Sequence, residues 1–455
     1  MATSYDDLLE NSKCRALSYL DALDRRRVFP DDTMLDGLAA FNENLPHEGR
    51  EGQETLDLLD RHGSPATVAN MGGRYFGFVV GGSLPVTVAA NWLAAAWDQV
   101  ASSQVTSPVA DHIERVAGEW VLDILDLPRG SAVGFVTGAT MATFSALAAA
   151  RHHLLDRQGW NVGEYGLYGA PQITVVVSAE VHVTVLKALN MLGMGQKNII
   201  KIPVDANGAI DVAQVPPLGP NTIVCVQAGN VNSGAFDPIE SICAAARAVG
   251  AWVHVDGAFG LWARAAPALA DMAKGVEKAD SWATDGHKWL NTPYDCGVVI
   301  CRHKRALAGA FSTSAAYLKE EDGAAKDRVP EFSRRARGIE VWAALRTLGR
   351  DGVDHLISEN CRLARLFAQE LSALGLTIHN KVVLNQIVVS CGSASRTAQM
   401  IEAMQAEGTC WFGQTEWQGQ KASRISISSW KTTEQDIAKS VAAFKKILTL
   451  QGNSE

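Results

Sequence analysis

Lys288 stands between a histidine and a tryptophan in the run DSWATDGHKWLNTPYDCG, just ahead of an apolar stretch. Surface lysines keep the ammonium in water and lay only the stem on the protein. A lysine flanked by His287 and Trp289 is not placed that way. Taken out of water, a lysine gives up its proton more readily and its amine becomes a nucleophile toward carbonyl carbon. Upstream, VHVDGAFG sets Asp256 after an apolar run and before glycine and small residues. Carboxylates at the carboxyl ends of parallel strands project into the crevice where α/β proteins bind ligands. An aspartate there serves equally well as the N-cap of a following helix. Its strand reads as buried, however, and a buried carboxylate calls for a cation. Further upstream, GFVTGATMATF passes from a strand through a glycine turn into a helix, gathering free backbone N–H groups and the Thr137, Thr140 and Thr143 hydroxyls at a helix N-terminus. That is a phosphate cradle. It has neither the Walker lysine nor the dinucleotide spacing, so a nucleotide is not indicated.

The elements that must position these residues follow from the hydrophobic pattern. Short β-branched runs at 132–136, 173–177, 199–204, 222–227, 252–255 and 297–301 alternate with helical patterns at 139–154, 182–193 and 238–249. The last helix opens on Asp237-Pro238, an acceptor cap with proline in the first turn. Such alternation predicts a mostly parallel sheet covered by helices, an α/β class. Residues 1–68 read as a helical N-terminal arm, 69–310 as the large α/β domain, and 311–455 as a small α+β C-terminal domain. The C-terminal part has helices from 338 and over 353–374, strands near 376–391 and 423–428, and a last helix to 449.

Composition narrows the function classes. With 455 residues, 47% hydrophobic and 20% charged, and a net charge of −8, the chain is folded and mildly acidic. No basic stripe is present to neutralise phosphates, which excludes a nucleic-acid partner. The opening MATSYDDLLENSKCRALSYL lacks a basic segment followed by an apolar one, so the expected location is cytoplasmic. The apolar 78–97 stretch is broken by Gly81, Gly82 and Pro85 and holds Asn91, so no membrane span is expected. Eight scattered cysteines read as reduced core thiols, and Cys296 with Cys301 lacks the second pair a zinc site needs, so no metal is expected.

Taken in order, TSPVADHIE (106–114), VTGATMAT (136–143), SAEVHVTVLKA (178–188), GNVNSGAFDP (229–238), HVDGAFG (254–260), DGHKW (285–289), YL (317–318) and RRARGIEVW (334–342) resemble the group II pyridoxal-phosphate decarboxylases. That family includes the aromatic-amino-acid and glutamate decarboxylases, within the fold type I, aspartate aminotransferase-like enzymes. The resemblance covers most of the chain. It implies a large domain with a mostly parallel seven-stranded sheet flanked by helices, and a homodimer with active sites at the interface. It also implies pyridoxal 5′-phosphate held as a Schiff base on Lys288, with Asp256 on the pyridinium nitrogen, His182 stacked on the ring and Ala258 on its other face. Ala139, Thr140 and His287 would hold the phosphate, and Asn232 would lie near the cofactor's O3′ or the substrate. A carboxylate at the ring nitrogen keeps it protonated, and the protonated ring withdraws electrons from the substrate Cα. Without the resemblance, His182 reads as an interior histidine at a strand end.

Two departures bear on the reaction. The family's Gly-Thr-Thr is Gly229-Asn230-Val231, and the segment KEEDGAAKDRVPEFSRR after Tyr317-Leu318 contains no tyrosine, where the aromatic decarboxylases carry one that protonates Cα. The first expectation is decarboxylation of an L-amino acid to the amine and CO2, with His182 or water as proton donor. The alternative keeps the cofactor and changes the bond broken: aldol-type or β-elimination chemistry, transamination, or oxidative conversion to an aldehyde. A non-enzymatic regulatory protein on the same fold is a further alternative. Tyr75, Phe76 and Phe78 in GGRYFGFVVGG lie where the family builds its substrate pocket, which points to an aromatic side chain. Each also fits as core packing. Arg74 would instead favour an acidic substrate. Arg334, Arg335 and Arg337 at a helix start call for partner anions.

Overall fold

The computed structural model describes residues 4–312 and 323–452. Tyr317-Leu318 and the opening of the charged segment after them lie outside the described residues, as do the first three residues of the chain. Two compact units are present: Gly81–Arg365 with Asn380–Ile387, and Met1–Val80 with Leu366–His379 and Val388–Glu455.

The larger unit is built on strands β1 (Ala132–Val136), β2 (Thr174–Ser178), β3 (Ile199–Ile202), β4 (Thr222–Gln227), β5 (Trp252–Asp256), β6 (Ser281–Asp285) and β7 (Gly297–Cys301). They lie in the order β1-β7-β6-β5-β4-β2-β3. Parallel pairing joins β3, β2, β4, β5 and β6, while β7 runs antiparallel to both β6 and β1. The carboxyl ends of β1, β2, β4, β5 and β6 therefore share one edge. Strands covered on both faces read as unbroken apolar runs, and β4 and β5 are buried at every position.

β6 is absent from the six runs anticipated from sequence, because Ser281, Thr284 and Asp285 interrupt its apolar pattern. Partners make its polar start tolerable. Ser281 Oγ accepts from Trp252 Nε1 at 3.0 Å and lies 3.0 Å from His254 Nδ1. Over the sheet lies the helix Ala139–Asp156, whose Ala142, Ala146, Leu147 and Ala149 are fully buried. Small side chains bring this helix close to β6 and β7.

A second sheet has the order β10-β11-β9-β8, from β8 (Thr377–Ile378), β9 (Gln386–Ser390), β10 (Gly413–Trp417) and β11 (Gln420–Ser426). β8 pairs with β9 and β10 with β11, both antiparallel. The helix Gly338–Ala373 is interrupted at Gly349, whose φ of 61° suits glycine and separates the two helices expected there. No described helix is long and apolar enough to cross a membrane. The described cysteines form no disulfide, and seven of the eight are buried.

The three arginines find their anions within the chain. Arg334 donates to both Glu114 oxygens, at 2.7 and 2.6 Å, and Glu114 Oε1 also accepts from Gly338 N at 3.3 Å. Arg335 pairs with Glu340 at 2.6 Å and Arg337 with Asp295 at 3.0 Å. Glu114→Ala leaves a buried guanidinium without a counter-ion, so an expected loss of about 3–5 kcal/mol follows. The check is a lower urea midpoint at unchanged slope.

Candidate active site

Lys288 lies on the connection 286–296 between β6 and β7, which is fastened at several points. Gly286 N and His287 N both donate to Cys296 O, at 3.0 and 3.3 Å, and Cys296 N donates to His287 Nδ1 at 3.0 Å. Asn291, in the left-handed region at φ 56°, donates from Nδ2 to Lys288 O and Trp289 O, each at 3.0 Å. Trp289 is anchored by its indole N–H on Asn360 Oδ1 at 3.0 Å.

The lysine amine faces a carboxylate. Lys288 Nζ is 3.2 Å from Asp285 Oδ2, His287 Nε2 is 3.6 Å from the same oxygen, and Asp285 Oδ1 accepts from Ala139 N at 2.6 Å. One buried aspartate at the end of β6 thus joins the lysine loop to the start of the helix Ala139–Asp156. Burial pulls the His287 imidazole below its ordinary value; Asp285 opposes this and Lys288 reinforces it. A neutral ring accepting at Nδ1 carries its proton on Nε2, as a donor.

The cradle at this helix start is close-packed. A Cβ on Gly297 would lie 2.4 Å from the Gly138 backbone, and one on Gly138 would lie 3.2 Å from His287 Cε1. Thr140 beside it is half-buried. At the end of β5, Asp256 is buried, and its Oδ1 accepts from Ala258 N at 3.2 Å. It forms no ion pair with any described residue. His182, just beyond β2, caps the helix Val183–Met191 through Nδ1, which accepts from Thr184 N and lies 2.7 Å from Thr184 Oγ1. Asn232 N donates to Asn230 Oδ1 at 2.9 Å, while the Asn230 Nδ2 group is buried without a partner among the described residues.

Asp256 ends a strand, and Lys288, His287, Ala258, Ala139, Thr140, His182 and Asn232 follow strands, all ending at one edge of the sheet in the larger unit. Tyr75, Phe76 and Phe78 belong to the other unit. There Tyr75 stacks on Trp411 with centroids 5.1 Å apart, and Phe76 is fully buried against Phe367. Phe78 is 60% exposed and tilted over Trp411. Arg74 in that unit donates to Thr409 O at 2.6 Å.

The donor set suits pyridoxal phosphate. A buried carboxylate lacking a cation matches a protonated ring nitrogen, an amine at the end of a short loop matches an aldehyde, and a glycine-lined helix start with a neutral imidazole donor matches a phosphate. The model of the pyridoxal-dependent decarboxylase conserved domain matches residues 69–390.

The chain belongs to the pyridoxal-dependent decarboxylase family.

It is accordingly a pyridoxal-phosphate-dependent amino-acid decarboxylase, a carboxy-lyase. Among relatives, tryptophan decarboxylase 1 of Oryza sativa subsp. japonica is 26% identical over 82% of this chain and 80% of its own length. An aromatic-L-amino-acid decarboxylase of Bacillus atrophaeus is 27% identical over 69% and 67%. A phenylacetaldehyde synthase of Arabidopsis thaliana is 26% identical over 86% of each. The fold is that of the crystal structure of Oryza sativa TDC with PLP and tryptamine, at a TM-score of 0.90 and 22% identity, covering 99% of both chains. The fold type I expectation, with its seven-stranded sheet, holds.

Sequence reasoning passed over two residues of this decarboxylase. Asp285 carries no signal of its own in the sequence, since an acid three residues ahead of a lysine also suits a solvated surface pair. Tyr294, whose ring lies on His287 at a centroid distance of 4.2 Å and 26° between planes, had no signal beyond its place in the lysine run.

His254, two residues before Asp256 on β5, offers a test of burial by pH. Desolvation pushes its imidazole down to about 4, with Asp256 opposing. An unfolded histidine ionises near 6.5, so acidification below that value favours the unfolded chain. The contribution is whole above pH 6.5 and lost as pH falls through about 4, at about 1.4 kcal/mol per pH unit, or about 3 kcal/mol in all. The melting temperature should fall more steeply from pH 6.5 to 4.5 in the wild type than in His254→Gln.

Proposed function

We propose that this decarboxylase converts an aromatic L-amino acid to the corresponding amine and CO2. The carrying observation is that one edge of the sheet holds both Lys288, in a loop tied to the sheet, and Asp256, a buried carboxylate with no cation partner among the described residues. In this reading Lys288 holds the cofactor covalently, Asp256 binds its ring nitrogen, and His182 and Ala258 cover the two faces of the ring. Ala139, Thr140 and His287 take the phosphate. Asn232 and the buried Asn230 amide serve the remaining oxygen. When bound, pyridoxal phosphate supplies an electron sink for the pair left at Cα. The chain's own tasks would be to hold that ring protonated through Asp256, to yield the cofactor's aldehyde carbon to the substrate amine and reclaim it through the Lys288 amine as the product amine leaves, and to deliver a proton to Cα. The relatives named as tryptophan and aromatic-amino-acid decarboxylases support an aromatic substrate.

Mass spectrometry of products from a panel of L-amino acids tests this reading. Amine from aromatic members is expected; amine from acidic members alone, or from none, refutes it. Aldehyde formation is the second reading, favoured by the phenylacetaldehyde synthase relative and by the lack of tyrosine in 319–335.

We further propose a cytoplasmic homodimer. Trp92, Leu93 and Trp97 on the helix Pro85–Trp97, with Val100 and Val105 beyond it, remain exposed in one chain, an apolar surface suited to a second copy. Size-exclusion chromatography with light scattering should give twice 48.7 kDa; a monomer at micromolar concentration would contradict it.

A further inference from the structure

A cavity of about 280 Å³ opens at the edge of the larger unit's sheet opposite the lysine loop, where β5 and β6 begin and β7 ends. Strands of five residues separate it from Asp256 and Asp285, a span of roughly 13 Å at about 3.3 Å per residue. It is a place apart from the site already described.

Its wall is electropositive, and the charge is not balanced from within. Arg157 follows the helix Ala139–Asp156, Arg247 lies in the last turn of the helix Ile239–Val249, and Arg302 follows β7. Each is held on backbone carbonyls: Arg157 Nη1 donates to Gly250 O at 2.9 Å, Arg247 Nη2 to Lys278 O at 3.4 Å, and Arg302 to Ala279 O at 2.9 Å and to Glu277 O. None of the three forms an ion pair with any described residue. Among the described residues of the wall, Asp280 is the one carboxylate, and both its oxygens are engaged: Oδ1 lies 2.9 Å from His303 Nε2, and Oδ2 accepts from Val253 N at 2.8 Å. Glu240 nearby is paired with Lys278 at 2.6 Å and Lys274 at 3.1 Å. His153 feels the excess of positive charge. Its ring is stacked on His303 and tilted against Trp252, with centroids 5.1 and 5.4 Å away. Burial, then His303 and Arg157, pull its imidazole below the ordinary value, against the opposing Asp280 and Asp156.

A guanidinium carries five N–H donors in a planar fork that matches the oxygens of a phosphate. One or two donors of each arginine are used on a carbonyl, and the rest serve a ligand. Three such forks around one cavity suit a dianion with several oxygens. The cavity is larger than a phosphate alone, and the His153 and His303 rings with Leu154 and Ala246 give an organic body a surface to lie on.

We propose that this cavity is a second ligand site, for a phosphate monoester of a small organic molecule, held by Arg157, Arg247 and Arg302 with its organic part against the histidine rings. The assignment is independent of which amino acid is decarboxylated. A ligand bridging the three arginines ties two helix ends to the end of β7, so it stabilises the folded unit in proportion to its occupancy.

Calorimetric titration of the holoenzyme with phenyl phosphate tests this, with pyridoxal phosphate bound beforehand so that the cradle at Ala139 is filled. Wild type is expected to bind one molecule per chain, and its melting temperature should rise as the probe is added. Arg247→Gln removes a bond of 3.4 Å to a carbonyl and Arg157→Gln one of 2.9 Å, both from exposed side chains, so each variant should melt near wild type without the probe. In each, affinity for phenyl phosphate should fall about tenfold or more as a charge-assisted contact is lost, while affinity for pyridoxal phosphate is unchanged. Phenol should not bind. Should one variant fail to fold, the other carries the test. Wild-type binding weaker than about 1 mM overturns the proposal, as does affinity unchanged in the folded variants. Tighter binding of benzoate, or inorganic phosphate bound as tightly as the ester, likewise overturns it, since the site would then not recognise a phosphate monoester.

Discussion

Lys288→Ala is expected to lower amine formation by roughly four orders of magnitude or more, the scale on which loss of an essential nucleophile acts. On the assignment proposed above, the cofactor would then be held only by Asp256, the ring contacts and the phosphate cradle. The visible absorbance of the lysine-bound cofactor should vanish, and added pyridoxal phosphate should wash out on dialysis. The fold should persist. Asp285 keeps its 2.6 Å bond from Ala139 N, and the 286–296 connection is tied by backbone groups and by Asn291, none of which uses the lysine side chain. Normal circular dichroism with no amine identifies a chemical role; loss of fold, or amine within tenfold of wild type, contradicts the assignment.

Asp256→Asn is expected to lower turnover by roughly 10²–10³-fold, as when one preorganised charge is withdrawn from an active site. Asparagine keeps the acceptor for Ala258 N, so geometry is retained while the charge that holds a ring nitrogen protonated is lost. Stability should move the other way. A buried carboxylate lacking an ion pair costs desolvation energy, and its neutral isostere should stabilise the protein, measured without added cofactor, by about 1–2 kcal/mol. The Cys225 thiol, raised by burial and by Asp256, should be eased downward. A variant both inactive and less stable than wild type would mean that Asp256 is structural.

Much of this site was legible before any coordinates, for physical reasons. Glycine punctuation and β-branched runs marked where β1 and β5 end, and residues at such ends project to a common edge; Thr140 and Asp256 stood out that way. Lys288 was visible because its neighbours are wrong for a wet surface. The whole-chain family resemblance then brought in Ala139, His182, Ala258 and Asn232, whose side chains alone carry no such signal. β6 was hidden because Ser281 and Asp285 are satisfied by Trp252 and by the Ala139 amide, partners far off in sequence. Asp285 went with it. The stacking of Tyr75 on Trp411 and of Phe76 on Phe367 was equally invisible, since each pairs rings more than 290 residues apart. Local pattern cannot report such contacts. Gly349, by contrast, divided two helices where the sequence predicts them.

The reversal of β7 has a mechanical consequence. Had β7 run parallel to β6, the chain after Asp285 would have needed a long crossover, and Lys288 would sit on a segment free to swing. Because β7 returns alongside β6, both feet of the lysine-bearing connection stand on adjacent strands of one sheet, clamped by the Asp285 to Gly297 register. The reactive nitrogen therefore shares the stiffness of the sheet. Its backbone amides should exchange with solvent only through the slow openings that unravel the whole unit.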